Sequence, residues 1–169
     1  MMSDAAVLGH SGHAFQEQEM ASSHPSVSFS DEELRLQAQG NGTAFSLALL
    51  RYARDHGEAP EAAARWLGTL FAPNWESLQG QGARAIAREA ALNVVSRGGT
   101  LHELTGDEQQ AEVTVTDAVD AEYLEAFGLK RVEADALYTV YEPIADALGY
   151  ALRWERTGET ITLVFRRRE

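Results

Sequence analysis

Residues 150–169 read YALRWERTGETITLVFRRRE, and this stretch decides the fold. Two runs of alternating apolar and polar side chains flank Thr157-Gly158-Glu159-Thr160, the pattern of two strands joined by a short hairpin. Tyr150, Leu152, Trp154 and Arg156 fall on one side of the first strand, with Ala151, Arg153 and Glu155 on the other. Trp154 therefore reads either as an aromatic wall for a planar or apolar molecule or as a core side chain, and Arg153 and Glu155 as a wet face. A second hairpin is expected upstream, Thr100–Leu104 pairing with Ala111–Thr116 across Thr105-Gly106-Asp107-Glu108. Val113 and Val115 then share one face, and Thr114 and Thr116 the other.

Four strands with one apolar face need a cover, and the preceding sequence supplies helices. Ser30-Asp31-Glu32-Glu33 is a capping box with its acids at the positive end of a helix starting at Asp31. Gly40 and Gly42 are expected to interrupt or end that helix, which resumes over residues 43–56 with Phe45, Leu49 and Tyr52 roughly on one face. Gly57 reads as its C-cap, and Pro60 as the first turn of a helix to Phe71 with an apolar stripe of Ala63, Trp66, Leu67 and Leu70. Pro73-Asn74 breaks it. A helix over residues 83–96 follows the Gly80-Gln81-Gly82 cluster, which lacks a phosphate-loop pattern and marks a helix boundary instead. Asp120 caps a short helix ending at Gly128, and residues 133–148 form the last helix, with a kink or break at Pro143.

The expected fold is thus α+β, N-terminal helices packed with a small antiparallel sheet made from two hairpins. Residues 30–169 read as a single domain and residues 1–29 as a flexible N-terminal tail. His10, His13 and His24 lie in that tail with no regular spacing to hold a metal ion.

Twenty-six acidic residues against 14 basic ones, in 169 residues, give a net charge of −12. That field repels phosphate backbones and anionic lipid, so neither nucleic acid nor a membrane surface is an expected partner despite Arg166-Arg167-Arg168. The absence of cysteine removes disulfides, thiolate catalysis and the usual structural zinc sites. With no apolar window of membrane-spanning length and no signal-peptide pattern at the start, the expected location is the cytoplasm.

The run AEVTVTDAVDAEYLEAFG (residues 111–128), followed by EADALYTVYEPIADALGY (residues 133–150) and the final strand pair, resembles 4-vinyl reductase-type ligand-binding domains and L-2-amino-thiazoline-4-carboxylic acid hydrolase-like proteins. The resemblance covers about residues 83–167 and lies in layout more than in identity. It implies a pocket between helices and sheet that holds a small organic molecule, and leaves room for a homodimer. Those relatives often carry cysteine near the strand-to-helix junction; here the junction reads Thr116-Asp117-Ala118-Val119, so no cysteine chemistry and no catalytic residue carries across.

Five residues are candidates for lining such a pocket. His102 follows the strand alternation, so it should face opposite to Glu103; facing inward it would accept a proton or orient a ligand, facing outward it is a surface histidine. Tyr138, Tyr141 and Glu142 sit together on the last helix, where an acid beside phenols could orient an amine or hydroxyl, or Glu142 could simply face water. Trp154 completes the set. The leading expectation is a small-molecule-binding or sensory domain with an apolar, aromatic-lined pocket, its cofactor content unspecified. The alternatives are a protein-interaction or dimerisation domain, using residues 133–148 with Leu163 and Phe165, or a hydrolase of a small nitrogen-containing compound. No HExxH or GxSxG pattern supports the last.

Overall fold

The computed structural model describes residues 28–169; residues 1–27 of the expected tail, with its three histidines, lie outside them. The expected α+β architecture is present. Helices α1 (Asp31–Asp55), α2 (Pro60–Phe71) and α3 (Ala83–Ser96) precede hairpin β1 (Thr100–Gly106) and β2 (Gln110–Thr116). Helices α4 (Ala121–Phe127), α5 (Arg131–Asp135) and α6 (Tyr141–Ala147) then lead into hairpin β3 (Tyr150–Thr157) and β4 (Thr160–Arg167). Both hairpins join one antiparallel sheet in the order β1-β2-β4-β3.

Register puts Ala111, Val113 and Val115 of β2 on the same face as Ile161, Leu163 and Phe165 of β4, and all six are buried. This face packs on Ala83, Ile86, Ala87, Ala90, Ala91 and Val94 of α3 and on Tyr141, Ile144 and Ala145 of α6. The opposite face carries Glu112, Thr114, Arg153, Glu155 and Thr162 without a covering layer, as an antiparallel sheet allows. A smaller core joins Leu47 and Leu50 of α1 to Ala64 of α2, Leu129, Ala134 and Leu137.

Local signals fix several ends as expected. The Ser30 hydroxyl accepts from the Glu33 amide at 3.2 Å, while the Ser30 amide donates to the Glu33 carboxylate at 2.7 Å. Asp120 caps α4 through the Tyr123 amide, and Gly128 ends it in the left-handed conformation that glycine favours. Gly82 starts α3 without a side-chain cap. The free amides of Ala83 and Arg84 are taken instead by the carbonyls of Glu108 and Asp107 in the β1–β2 turn, so this glycine cluster offers no anion cradle.

Four expectations fail for physical reasons. Helix α1 is unbroken through Gly40 and Gly42; neither takes a positive φ, and a helix tolerates a glycine within it at a cost of about 1 kcal/mol, which the anchoring of Thr43, Leu47 and Leu50 in the core offsets. The core face of α1 is Thr43, Leu47, Leu50 and Ala53, whereas Phe45 and Tyr52 point outward. Likewise α2 buries Ala63, Ala64 and Gly68 and leaves Trp66 and Leu70 exposed. Residues 133–148 are not one helix: α5 passes into a 3₁₀ segment, Ala136–Val140, before α6. Pro143 has no N–H for the 139 carbonyl, and α2 presses close here, since a Cβ on Gly68 would overlap the Val140 carbonyl and the Pro143 ring.

Candidate functional site

The five expected pocket residues do not converge. Strand β1 contains a bulge between Leu101 and Glu103, which displaces His102 from the alternation. His102 Nε2 lies 2.6 Å from Thr116 Oγ1, and Glu103 opposes Thr114, so both sit on the uncovered face of the sheet and are exposed. The expectation that they face opposite sides is therefore corrected. Glu142 is held by Arg65 of α2 at 2.7 Å on the surface.

The aromatic residues are core side chains in separate pairs and form no cluster. Tyr138 packs against Trp154 with ring centroids 5.7 Å apart, and Tyr141 meets Trp75 edge-on at 5.9 Å. The Tyr141 hydroxyl donates to the Ala90 carbonyl at 3.3 Å. Burial pushes the Tyr141 phenol above its ordinary pKa; burial, followed by the field of Asp117, pushes Tyr138 well above it. The cavity beside Tyr138 measures about 20 Å³, room for a single water. A groove of about 160 Å³ over Leu67, Phe71 and Tyr141 also falls short of a ligand pocket, for which about 300 Å³ is the lower end. Larger clefts, of about 300 Å³ beside Trp154 and about 400 Å³ over Asp117 and Arg156, are open and lined mostly by polar side chains. With the aromatics in separate packing pairs, an apolar, aromatic-lined pocket holding a small molecule is thus overturned. The interface expected from residues 133–148, Leu163 and Phe165 fails too, because Leu163 and Phe165 are fully buried and residues 134–141 are buried throughout.

What does converge behind Tyr138 is a network of ions. Arg156 on β3 reaches Asp117, just after β2, at 2.7 Å, and Asp135, at the end of α5, at 2.8 Å. The Tyr138 hydroxyl donates to the same Asp117 at 3.0 Å, and Arg131 lies 3.6 Å from it while donating to the Val119 carbonyl. Desolvation, the largest influence on Arg156, pulls its pKa down, but Asp135 and Asp117 together outweigh it and hold the guanidinium above its ordinary value. Each charge has an opposite one within 3.6 Å, although Arg131 Nη1 and Asp135 Oδ1 make no hydrogen bond, and the network ties the β3–β4 hairpin to the α5 segment and the β2–α4 junction. Its chemistry is that of a lock between elements. The sequence showed Asp117 in the junction but gave no sign that Arg156 would reach it from a strand 39 positions away.

Among the described residues, no three His, Cys, Asp or Glu side chains gather into a metal-binding group. No helix among them is long and apolar enough to cross a membrane.

The exposed apolar surface lies on the helices. Phe45 is 75% exposed, Tyr52 62% and Leu34 54% on α1; Trp66 is 57% and Leu70 53% on α2. The first eight residues of α1, Asp31–Ala38, are all exposed and run past the rest of the fold, about 12 Å at the rise of a helix. On the outer side of α1, Leu34, Ala38, Asn41, Phe45, Ala48 and Tyr52 advance by alternating steps of four and three, and each is exposed. Leu47 and Leu50, which anchor the helix, are on the opposite side. Sequence reading missed this stripe because it divided the helix at Gly40 and Gly42; the signal was the spacing, read through the glycines.

Compared with protein-family models and with curated proteins, the chain matches none.

Proposed function

We propose that this protein is a protein-interaction module whose working surface is the outer stripe of α1. The observation that carries the reading is the direction of the two amphipathic helices: α1 is anchored by Leu47 and Leu50 and α2 by Ala63, Ala64 and Gly68, while a second set of large apolar residues, Phe45, Tyr52, Trp66 and Leu70, faces water. Scattered apolar residues on a surface are ordinary, but a row at helical spacing along one side of a long helix is the form that receives a second helix. A compact sheet core with no room for a guest supports the same reading.

The test places a photo-crosslinking amino acid at position 45, and separately at position 112 on the uncovered sheet face, in the full chain within living cells. Protein adducts from position 45 and few from position 112 are expected. No protein adduct from position 45, or an adduct of single-chain mass joining it to residues 1–27, would contradict the proposal.

A further inference from the structure

Resting on that reading, we infer that the occupant of the α1 stripe is a second copy of this chain, its α1 laid antiparallel to the first. Alternating steps of four and three residues average 3.5, the repeat that keeps one line of side chains facing a partner helix along its length. The steps also read the same from either end. Two copies related by a two-fold axis at the level of Thr43 set Leu34 against Tyr52, Ala38 against Ala48 and Asn41 against Phe45. The alanine layers let the backbones approach, while the large residues at each end close over the partner. Asn41 carries its own local partner, since its side-chain carbonyl accepts from Gln37 at 2.9 Å.

Charge selects the antiparallel sense. The first two turns of α1 hold Asp31, Glu32 and Glu33 with Arg35, which pairs with Glu32, a net −2; the last two turns hold Arg51 and Arg54 with Asp55, which pairs with both, a net +1. Because Arg51 and Arg54 are already held by Asp55 and by the Phe127 and Gly128 carbonyls, the selection is long-range. A parallel pair would bring two net acidic ends and two like dipole ends together, whereas the antiparallel pair sets each acidic end against a weakly basic one and opposes the dipoles. The same arrangement accounts for the overhang. Asp31–Ala38 lacks support from its own fold, and the second copy's anchored half, with Phe45, Ala48 and Tyr52, lies where that support is needed. At the exposures given above, Phe45 and Tyr52 of one protomer offer on the order of 250 Å². Doubled, and joined by Leu34 and the alanines, this brings the contact near the roughly 1,000 Å² of a specific interface.

The cysteine-free sequence makes the geometry directly testable. The full-length Ala38→Cys/Ala48→Cys variant, treated with diamide, is expected to form a covalent dimer with disulfides mapped between positions 38 and 48 of different chains. Ten helical residues separate the two sites, about 15 Å, too far for a disulfide within one helix. Neither single variant should crosslink. Efficient crosslinking of the single variants would establish a parallel pair and overturn the inference, as would the absence of crosslinks in all three. Photo-adducts from position 45 containing a different protein would overturn self-pairing while leaving the interaction reading intact, whereas no protein adducts would remove both.

Discussion

At the residue scale, Arg156 shows how a partly buried charge is tolerated: two aspartates and a backbone carbonyl answer it, at 2.7 Å, 2.8 Å and 3.2 Å. Replacing it by methionine keeps bulk but removes the cation of Asp135 and one of the two beside Asp117, which retains Arg131 and the Tyr138 hydroxyl. Arg156→Met is therefore expected to lower unfolding free energy by about 1–3 kcal/mol in chemical denaturation. A loss below about 1 kcal/mol would mean the network is a solvated surface feature. The two buried phenols give a pH signature. Their pKa values are raised in the fold, while unfolded tyrosine ionises near about 10, so above that pH the folded chain retains protons the unfolded chain releases. Stability should be unaffected by these groups below about pH 10 and fall as pH rises beyond it. Measured denaturation midpoints should decline less steeply with pH in Tyr138→Phe/Tyr141→Phe. His102 marks the limit of residue-level reading: alternation assigns faces only while each residue has one partner, and a single-residue bulge cancels it.

At the element scale, the signals that were legible are those written in a few adjacent residues. Ser30 with Glu33, Pro60 at the start of α2, Asp120 with Gly128, and Thr157-Gly158 in the last hairpin each placed an end correctly, because capping and turn chemistry act locally. Breaks that depend on packing were not legible. Pro143 announced a disruption, but the 3₁₀ segment before it is fitted to a glycine 72 positions earlier in α2. Gly68→Ala would push a methyl into the Val140 carbonyl and the Pro143 ring, and a loss of about 2–3 kcal/mol is expected in urea unfolding. A neutral outcome would show that α2 and the 3₁₀ segment are free to separate. Apolar residues at helical spacing, Phe45 with Tyr52 on α1 and Trp66 with Leu70 on α2, were visible in sequence, yet amphipathicity does not say which apolar face a small core will use. On α2, Ala63, Ala64 and Gly68 took the inner positions because they let neighbouring elements approach closely; on α1 the inner face went to Leu47 and Leu50, on the side away from Phe45 and Tyr52.

At the scale of the whole molecule, fold class and both hairpins were readable from periodicity, whereas the strand order β1-β2-β4-β3 is a non-local choice that no segment encodes. The expected pocket failed at this scale too, since Tyr138, Tyr141 and Trp154 proved to be packing partners. The net charge of −12 per chain opposes self-association through long-range repulsion. If apolar contact along α1 provides the attraction, raising salt should tighten pairing; weakening with salt would assign the attraction to ion pairs instead. The most direct measurement is sedimentation velocity of the full chain across roughly 1–100 μM, beside Phe45→Glu, whose exposed site should leave thermal stability within about 0.5 kcal/mol of the parent. The account predicts that the parent moves from 18.5 kDa toward twice that mass while the variant stays at 18.5 kDa. A parent that remains at 18.5 kDa throughout, or a variant that associates equally well, would contradict it.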